Sequence, residues 1–209
     1  MNCALCGSIE VSPVATIKNR TLYRCSQCDL VFVPKAYHLS VAAERARYDL
    51  HDNTAENEGY VRFLSQVADI TQEALASGGN VLDFGCGEHA VLATLLRSRG
   101  IPCSVFDPLY DYPQLPPAVH YDVVVLCEVI EHCRDLPSTI RQLDRLCSGG
   151  VTIVVRTQCR PPDGDLSRWW YAQDMTHINL FSRRALEEVA RRLRRSLFTT
   201  EFPDIFLVR

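Results

Sequence analysis

Apolar residues follow two periods along this chain. Tyr60, Phe63, Leu64, Val67, Thr71 and Leu75 trace a stripe at helical spacing, ended by Gly78-Gly79. Short, nearly continuous apolar runs follow at 80–84, 101–106, 121–127 and 151–156, as expected of strands buried on both faces of a parallel sheet. Helical stripes alternate with these runs. Leu92, Leu95 and Leu96 form one. Leu136, Ile140, Leu143 and Leu146 form a second, with Asp135 as its cap, Pro137 in its first turn and Gly149-Gly150 after its end. Leu186, Val189, Ala190 and Leu193 form a third, capped by Ser182. Residues 40–51 suit one more helix, with Ser40 as cap and Glu44 in its first turn. The tail L-F-T-T-E-F-P-D-I-F-L-V reads as two strands joined at Pro203-Asp204. This alternation predicts an α/β domain with a mostly parallel sheet. Residues 107–121 are broken by Pro108, Pro113, Pro116 and Pro117, too heavily for a further helix and strand.

Residues 1–36 do not share the pattern. Cys3-x2-Cys6 and Cys25-x2-Cys28 have the spacing of a four-cysteine zinc ribbon, in which two knuckles complete one tetrahedron. Four thiolates leave no open ligand position, so the expected ion is structural. The chain thus divides into a ribbon at 1–36, a helical cap and linker at 37–78, and an α/β domain at 79–209. The other cysteines (86, 103, 127, 133, 147 and 159) read as small buried apolar residues.

Composition narrows the partners. Acids (25) slightly outnumber lysines and arginines (22), giving a net charge of −3, which is not the balance of a nucleic-acid-binding protein. No apolar run approaches a membrane span, and M-N-C-A-L-C is not a signal peptide. A reducing cytoplasm is expected, where paired cysteines mean metal rather than disulfide.

The candidate chemistry centres on V-L-D-F-G-C-G at 81–87: a strand tipped by Asp83, then a turn on Gly85 and Gly87, then a helix. Such a unit is a nucleotide-type cradle, and an acid about 20 residues on takes the ribose hydroxyls. Asp107, in V-F-D-P, stands there.

V-L-D-F-G-C-G resembles the first motif of class I S-adenosylmethionine-dependent methyltransferases, and Y-D-V-V-V-L-C-E-V-I-E-H resembles their fourth-strand motif. The resemblance covers about residues 60–209; His89 stands where the family usually carries a third glycine. It implies a Rossmann-like, mostly parallel sheet closed by a C-terminal antiparallel hairpin, with one edge βα unit missing. It implies S-adenosylmethionine as cofactor, with Asp83, Gly85 and Gly87 near the methionine portion, Asp107 and Pro108 at the ribose, and Cys127 and Glu128 at a strand end. Tyr48, His51 and Tyr60, on helices before the first strand, become acceptor-pocket candidates, although aromatic residues at helical spacing usually serve packing.

Glu128, Glu131 and His132 fall at i, i+3 and i+4, and point one way if that turn is helical. With His177 of D-M-T-H they form a set suited to a divalent cation. Metal-dependent O-methyltransferases acting on small-RNA 3′ ends and in the ubiquinone pathway are similar in carrying E-x-x-E-H and a distant histidine. Without a metal, His132 is a general-base candidate. Trp170 and Tyr171, in R-W-W-Y, suggest a pocket wall, and the segment looks like one in small bacterial methyltransferases of unassigned substrate. The expected function is methyl transfer to oxygen or nitrogen of a small polar metabolite. The rivals are RNA methylation, using the ribbon and the arginines at 183, 184, 191, 192, 194 and 195, and a non-catalytic binding protein on a degenerate methyltransferase fold.

Overall fold

The computed structural model describes residues 1–75, 78–112, 114–115, 120–146, 150–162 and 164–209. The chain opens with a hairpin of β1 (Val11–Ile17) and β2 (Arg20–Cys25), followed by β3 (Val31–Phe32). Ile17 pairs with Arg20 across a two-residue loop, and both loop residues take positive φ, Lys18 at 48° and Asn19 at 62°. That backbone matches the right-handed twist of the flanking strands.

Two helices come next, α1 (Val41–Tyr48) and α2 (Glu58–Ala74). The remaining elements are β4 (Val81–Phe84), α3 (Val91–Ser98), β5 (Cys103–Phe106), β6 (Val123–Cys127), α4 (Leu136–Leu146), β7 (Thr152–Arg156), α5 (Trp170–Gln173), β8 (Asn179–Leu180), α6 (Arg183–Arg192), β9 (Leu197–Thr199) and β10 (Ile205–Val208). The expected caps are made: Ser40 accepts from the Ala43 amide, Asp135 from Ser138 and Ser182 from Ala185. Each such cap is worth about 1 kcal/mol. Cys147 and Gly149, which the sequence assigns to the apolar interior and a helix end, lie outside the described residues.

The main sheet runs β5-β4-β6-β7-β10-β9. Its first four strands are mutually parallel, and β10 is antiparallel to both β7 and β9. This is the Rossmann-like sheet with a closing hairpin at Pro203-Asp204 that the sequence leads one to expect. After β5 the chain closes a turn with an Asp107–Tyr112 bridge, so β5 is an edge strand among the described residues. Every residue of β4 and β7 is buried. Burying such a Val or Leu is worth about 2 kcal/mol each. Leu64, Val67, Ala68 and Ile70 of α2 pack with Leu92 and Leu96 of α3 on one face. The inner sides of α4 and α6 cover the other. Among the described residues no helix is long and apolar enough to cross a membrane.

The ribbon expected at 1–36 is not set apart from the rest. A second sheet runs β1-β2-β3-β8, with Val31 opposite Leu180 and Phe32 opposite Asn179. A two-residue strand would otherwise leave its outer edge unpaired. Cys3, Leu5, Cys25, Cys28 and Leu30 belong to the same apolar cluster as Leu136 and Phe181. Asp29, just after the second knuckle, is paired with both Arg24 and the buried Arg160.

Candidate active site

Five of the six later cysteines fall among the described residues, and Cys159 is half-buried. Cys103 is buried as expected, but Cys86, Cys127 and Cys133 lie on the wall of a cavity of about 1190 Å³. The cavity opens at the carboxyl ends of the parallel strands, because the turns after β4, β5 and β6 all contribute to it.

One side is built by the turn after β4. Gly85 has φ 85° and Gly87 φ 69°. A Cβ on Gly85 would stand 2.5 Å from a Val129 methyl carbon, so only glycine fits. The amides of Gly85 and Cys86 both donate to the Phe106 carbonyl (2.7 and 3.2 Å), locking the turn to β5. Asp107 then ties two turns together: one oxygen accepts from the Gly87 amide and the other from the Leu109 amide, each at 2.9 Å. Burial raises the Asp107 pKa, and these two amides oppose the rise.

Asp83 lies beneath this turn. It is 2% exposed, one carboxylate oxygen has no hydrogen-bond partner, and it is not on the cavity wall. Burial pushes its pKa up to about 7, aided by Asp107 and opposed by the Ala93 amide and Arg97. The folded state thus holds a proton that the unfolded chain gives up. The stability contributed by this group is complete below the ordinary value of 3.8 and is lost as pH rises to about 7. Thermal melts of the cofactor-free protein should show that slope, and an Asp83→Asn variant should lack it; identical slopes would place the proton elsewhere.

The opposite side departs from a helical turn. Glu128 takes φ 53°, and a single 3-10 turn, Ile130–His132, follows. Glu128, Glu131 and His132 therefore do not point one way. Glu128 and His132 reach the cavity wall, whereas Glu131 turns into the core and is 0% exposed. There Glu131 accepts from the Thr157 hydroxyl (3.2 Å) and from the Tyr171 hydroxyl. Tyr171 is itself 0% exposed and does not line the cavity. The expected pocket wall at Trp170 and Tyr171 is thus reduced to Trp170, because the Tyr171 hydroxyl is committed to a buried carboxylate.

His132 Nδ1 lies 3.0 Å from the Thr176 carbonyl and His177 Nδ1 2.7 Å from the Tyr171 carbonyl. A carbonyl only accepts, so Nδ1 carries the proton in both rings and each Nε2 keeps a lone pair. The rings are 4.7 Å apart. Ligand atoms of Glu131, His132 and His177 lie within 4.8 Å of one another. Burial pushes His132 down to about 3, with His177 adding to the shift, and burial lowers His177 as well. One Glu128 oxygen is buried without a partner, and burial pushes that carboxyl up to about 6.

Tyr48, His51, Tyr60, Pro108, Cys127 and Trp170 all line the same cavity. The Tyr48 ring meets His132 edge-on at 5.3 Å, and its hydroxyl donates to Glu44 (3.0 Å), which pairs with Arg134. Sequence reasoning missed Asp174, which accepts from the Thr176 amide and hydroxyl (2.9 and 2.7 Å) and so shapes the loop that holds both histidines. The D-x-T spacing carries that signal.

At the ribbon, Cys3 and Cys28 sulfurs are 3.5 Å apart, as are those of Cys6 and Cys25, and all four lie within 4.8 Å. Sulfurs bound to zinc at about 2.3 Å stand about 3.8 Å apart on a tetrahedron, so the donor set fits that ion. The arginines near the C-terminus are engaged within the chain: Arg183 with Glu187, Arg191 and Arg192 with Glu188, Arg194 with Asp144, and Arg184 with the Gln27 carbonyl.

A family model described as a methyltransferase domain matches residues 56–193. No curated protein matches the sequence. Among solved structures, an O-methyltransferase family protein from Burkholderia thailandensis is 18% identical, over 79% of this chain and 61% of that one, with a TM-score of 0.58. The Burkholderia thailandensis 1,6-didemethyltoxoflavin-N1-methyltransferase, solved with 1,6-didemethyltoxoflavin and S-adenosylhomocysteine, is 13% identical over 94% and 96% of the two chains, with a TM-score of 0.55. DesVI from Streptomyces venezuelae is 10% identical over 82% and 99%, with a TM-score of 0.52. The chain spans 61% of the length of the first of these. At such identities the likeness is one of fold. The family match rests on sequence and covers most of the α/β part, and the chain therefore belongs to the methyltransferase domain family.

Proposed function

We propose that the enzyme methylates an oxygen or nitrogen of a small polar metabolite bound in the cavity lined by Tyr48, His51, His132 and His177. The observation that carries this reading is one continuous cavity whose wall includes both the glycine turn and the two imidazoles with free Nε2 atoms. S-adenosylmethionine, when bound, supplies an electrophilic methyl carbon. Asp107 then orients the ribose while keeping the Gly87 and Leu109 amides paired. Tyr60 and Phe63 keep water off the cleft. One imidazole Nε2 accepts the hydrogen bond of the acceptor O–H or N–H and takes that proton as the new bond to the methyl carbon forms. The partnerless Glu128 oxygen is a second proton acceptor on the same cavity wall.

Glu131, His132 and His177 are also a donor set for a divalent cation. Their outer hydrogen bonds to Tyr171, Thr157 and two carbonyls are of the kind that orient metal ligands. Such a cation lowers the pKa of a hydroxyl it contacts. Arg134 is the lysine or arginine found on the cavity wall among the described residues, and it is paired with Glu44. A neutral or cationic metabolite suits such a wall better than RNA phosphates do. Calorimetry with S-adenosylhomocysteine, then a radiolabelled transfer screen over hydroxylated and amino metabolites, tests the reading. Transfer to RNA alone would overturn it.

The four cysteines are proposed to hold a structural zinc, with the ribbon as its own unit at 1–36 only in sequence, since β3 depends on β8. Cys25→Ser should then lose about one zinc per chain and melt the ribbon, a loss of several kcal/mol. Unchanged metal content by elemental analysis would remove the ion.

A further inference from the structure

The ribbon hairpin reaches the segment that leads to His177 through one buried side chain. Arg20 opens β2 and is 2% exposed. Among the described residues no carboxylate is hydrogen-bonded to it. Its guanidinium donates to the carbonyls of Ala172 (3.0 Å), Asp174 (3.1 Å) and Met175 (3.0 Å). Lys18, in the adjoining loop, donates to the Gln173 carbonyl (2.7 Å). These four successive carbonyls run from the last two residues of α5, which is four residues long, through its C-cap Asp174 to Met175. A helix of one turn has no internal partners for its last carbonyls and does not hold itself together. Cationic donors at its C-terminal end supply what it lacks.

The far end of the same segment is also tied to the ribbon. The Val33 amide donates to the Ile178 carbonyl (2.8 Å), and β3 pairs with β8. Between these two anchors lie Thr176 and His177, and just before them Tyr171. Thr176 and Tyr171 supply the carbonyls that fix both imidazoles.

We propose that Arg20 is a positioning residue for methyl transfer: the ribbon hairpin clamps residues 172–175 and so fixes how His132 and His177 face the acceptor. The ribbon is thus a part of the acceptor site, built from outside the α/β domain. The role in transfer rests on the acceptor-site reading above; the clamp itself does not, and the experiment reads the clamp without an acceptor.

The chain's two tryptophans, Trp169 and Trp170, stand just before the clamped carbonyls, so tryptophan fluorescence, excited selectively over the tyrosines, reports on this segment. The test compares full-length Arg20→Met and Arg20→Lys with the parent by hydrogen exchange, acrylamide quenching and calorimetry with S-adenosylhomocysteine. In Arg20→Met, exchange across 170–180 should quicken by at least about tenfold, since charged hydrogen bonds are lost there. Quenching should rise with it, while exchange at 81–90 and product affinity stay within about twofold, these sites sharing no partner with Arg20. Arg20→Lys keeps the charge but not the planar fork, and should fall between the two. Unchanged exchange across 170–180 would overturn the proposal, and so would loosening that spreads equally to 81–90 with loss of product binding. If Arg20→Met does not fold, the exposed Lys18→Ala should still quicken exchange at 173–176, and no change there would be equally decisive. Should a known acceptor later be methylated normally by His177→Ala, the acceptor reading would fall while the clamp stood.

Discussion

Asp107→Ala is expected to weaken S-adenosylhomocysteine binding by about a hundredfold or more, the cost of losing two charge-assisted hydrogen bonds at about 1.5–3 kcal/mol each. The carboxylate has two tasks. It pairs the Gly87 and Leu109 amides, holding the turns after β4 and β5 in register, and it stands on the cavity wall, where the ribose is proposed to bind. Alanine leaves two amides unpaired and removes the proposed ribose partner together. Asp107→Asn keeps the size but can accept at only one atom, so it should recover part of the loss. Calorimetry decides the matter, and an unchanged dissociation constant in Asp107→Ala would take the residue out of the cofactor site.

His132→Ala should act on the other half of the cleft. Turnover is expected to fall by about a thousandfold, in the range of losing an orienting or proton-handling group, with product affinity unaltered. The ring touches Tyr48 and His177 and is bonded to Thr176, all on the acceptor side. The asymmetry between the two variants is the informative result. Wild-type rates in His132→Ala, measured with any acceptor found in the screen, would end both the ligand and the base readings of this histidine.

The glycine-turn side of the cavity was legible because its signals are local. Gly85 and Gly87 mark a turn, and Asp107 follows a strand. Ser40, Asp135 and Ser182 announce their helices within four residues of the amides they cap. The acceptor half was less so. Glu128, Glu131 and His132 have helical spacing, but the left-handed backbone at Glu128 breaks the helix and sends Glu131 into the core. Spacing cannot report that, since the cause is the Tyr171 and Thr157 hydroxyls waiting there from 40 and 26 residues away. Arg20 was illegible for the same reason. An arginine beside a hairpin loop ordinarily faces water, and its three carbonyl partners are more than 150 residues distant. The pairing of β3 with β8 lacks any pattern, as each strand has two residues.

That pairing also bears on how the chain is made. The hairpin of β1 and β2 leaves the ribosome well before the strand that completes its sheet, which comes out some 147 residues after β3, with Asn179 opposite Phe32. Until then the free border of β3 is an open template for any passing extended segment. Such distant closure is the slow kind of assembly. Nascent chains halted before residue 179 should therefore lean on chaperones far more than those released only slightly beyond it.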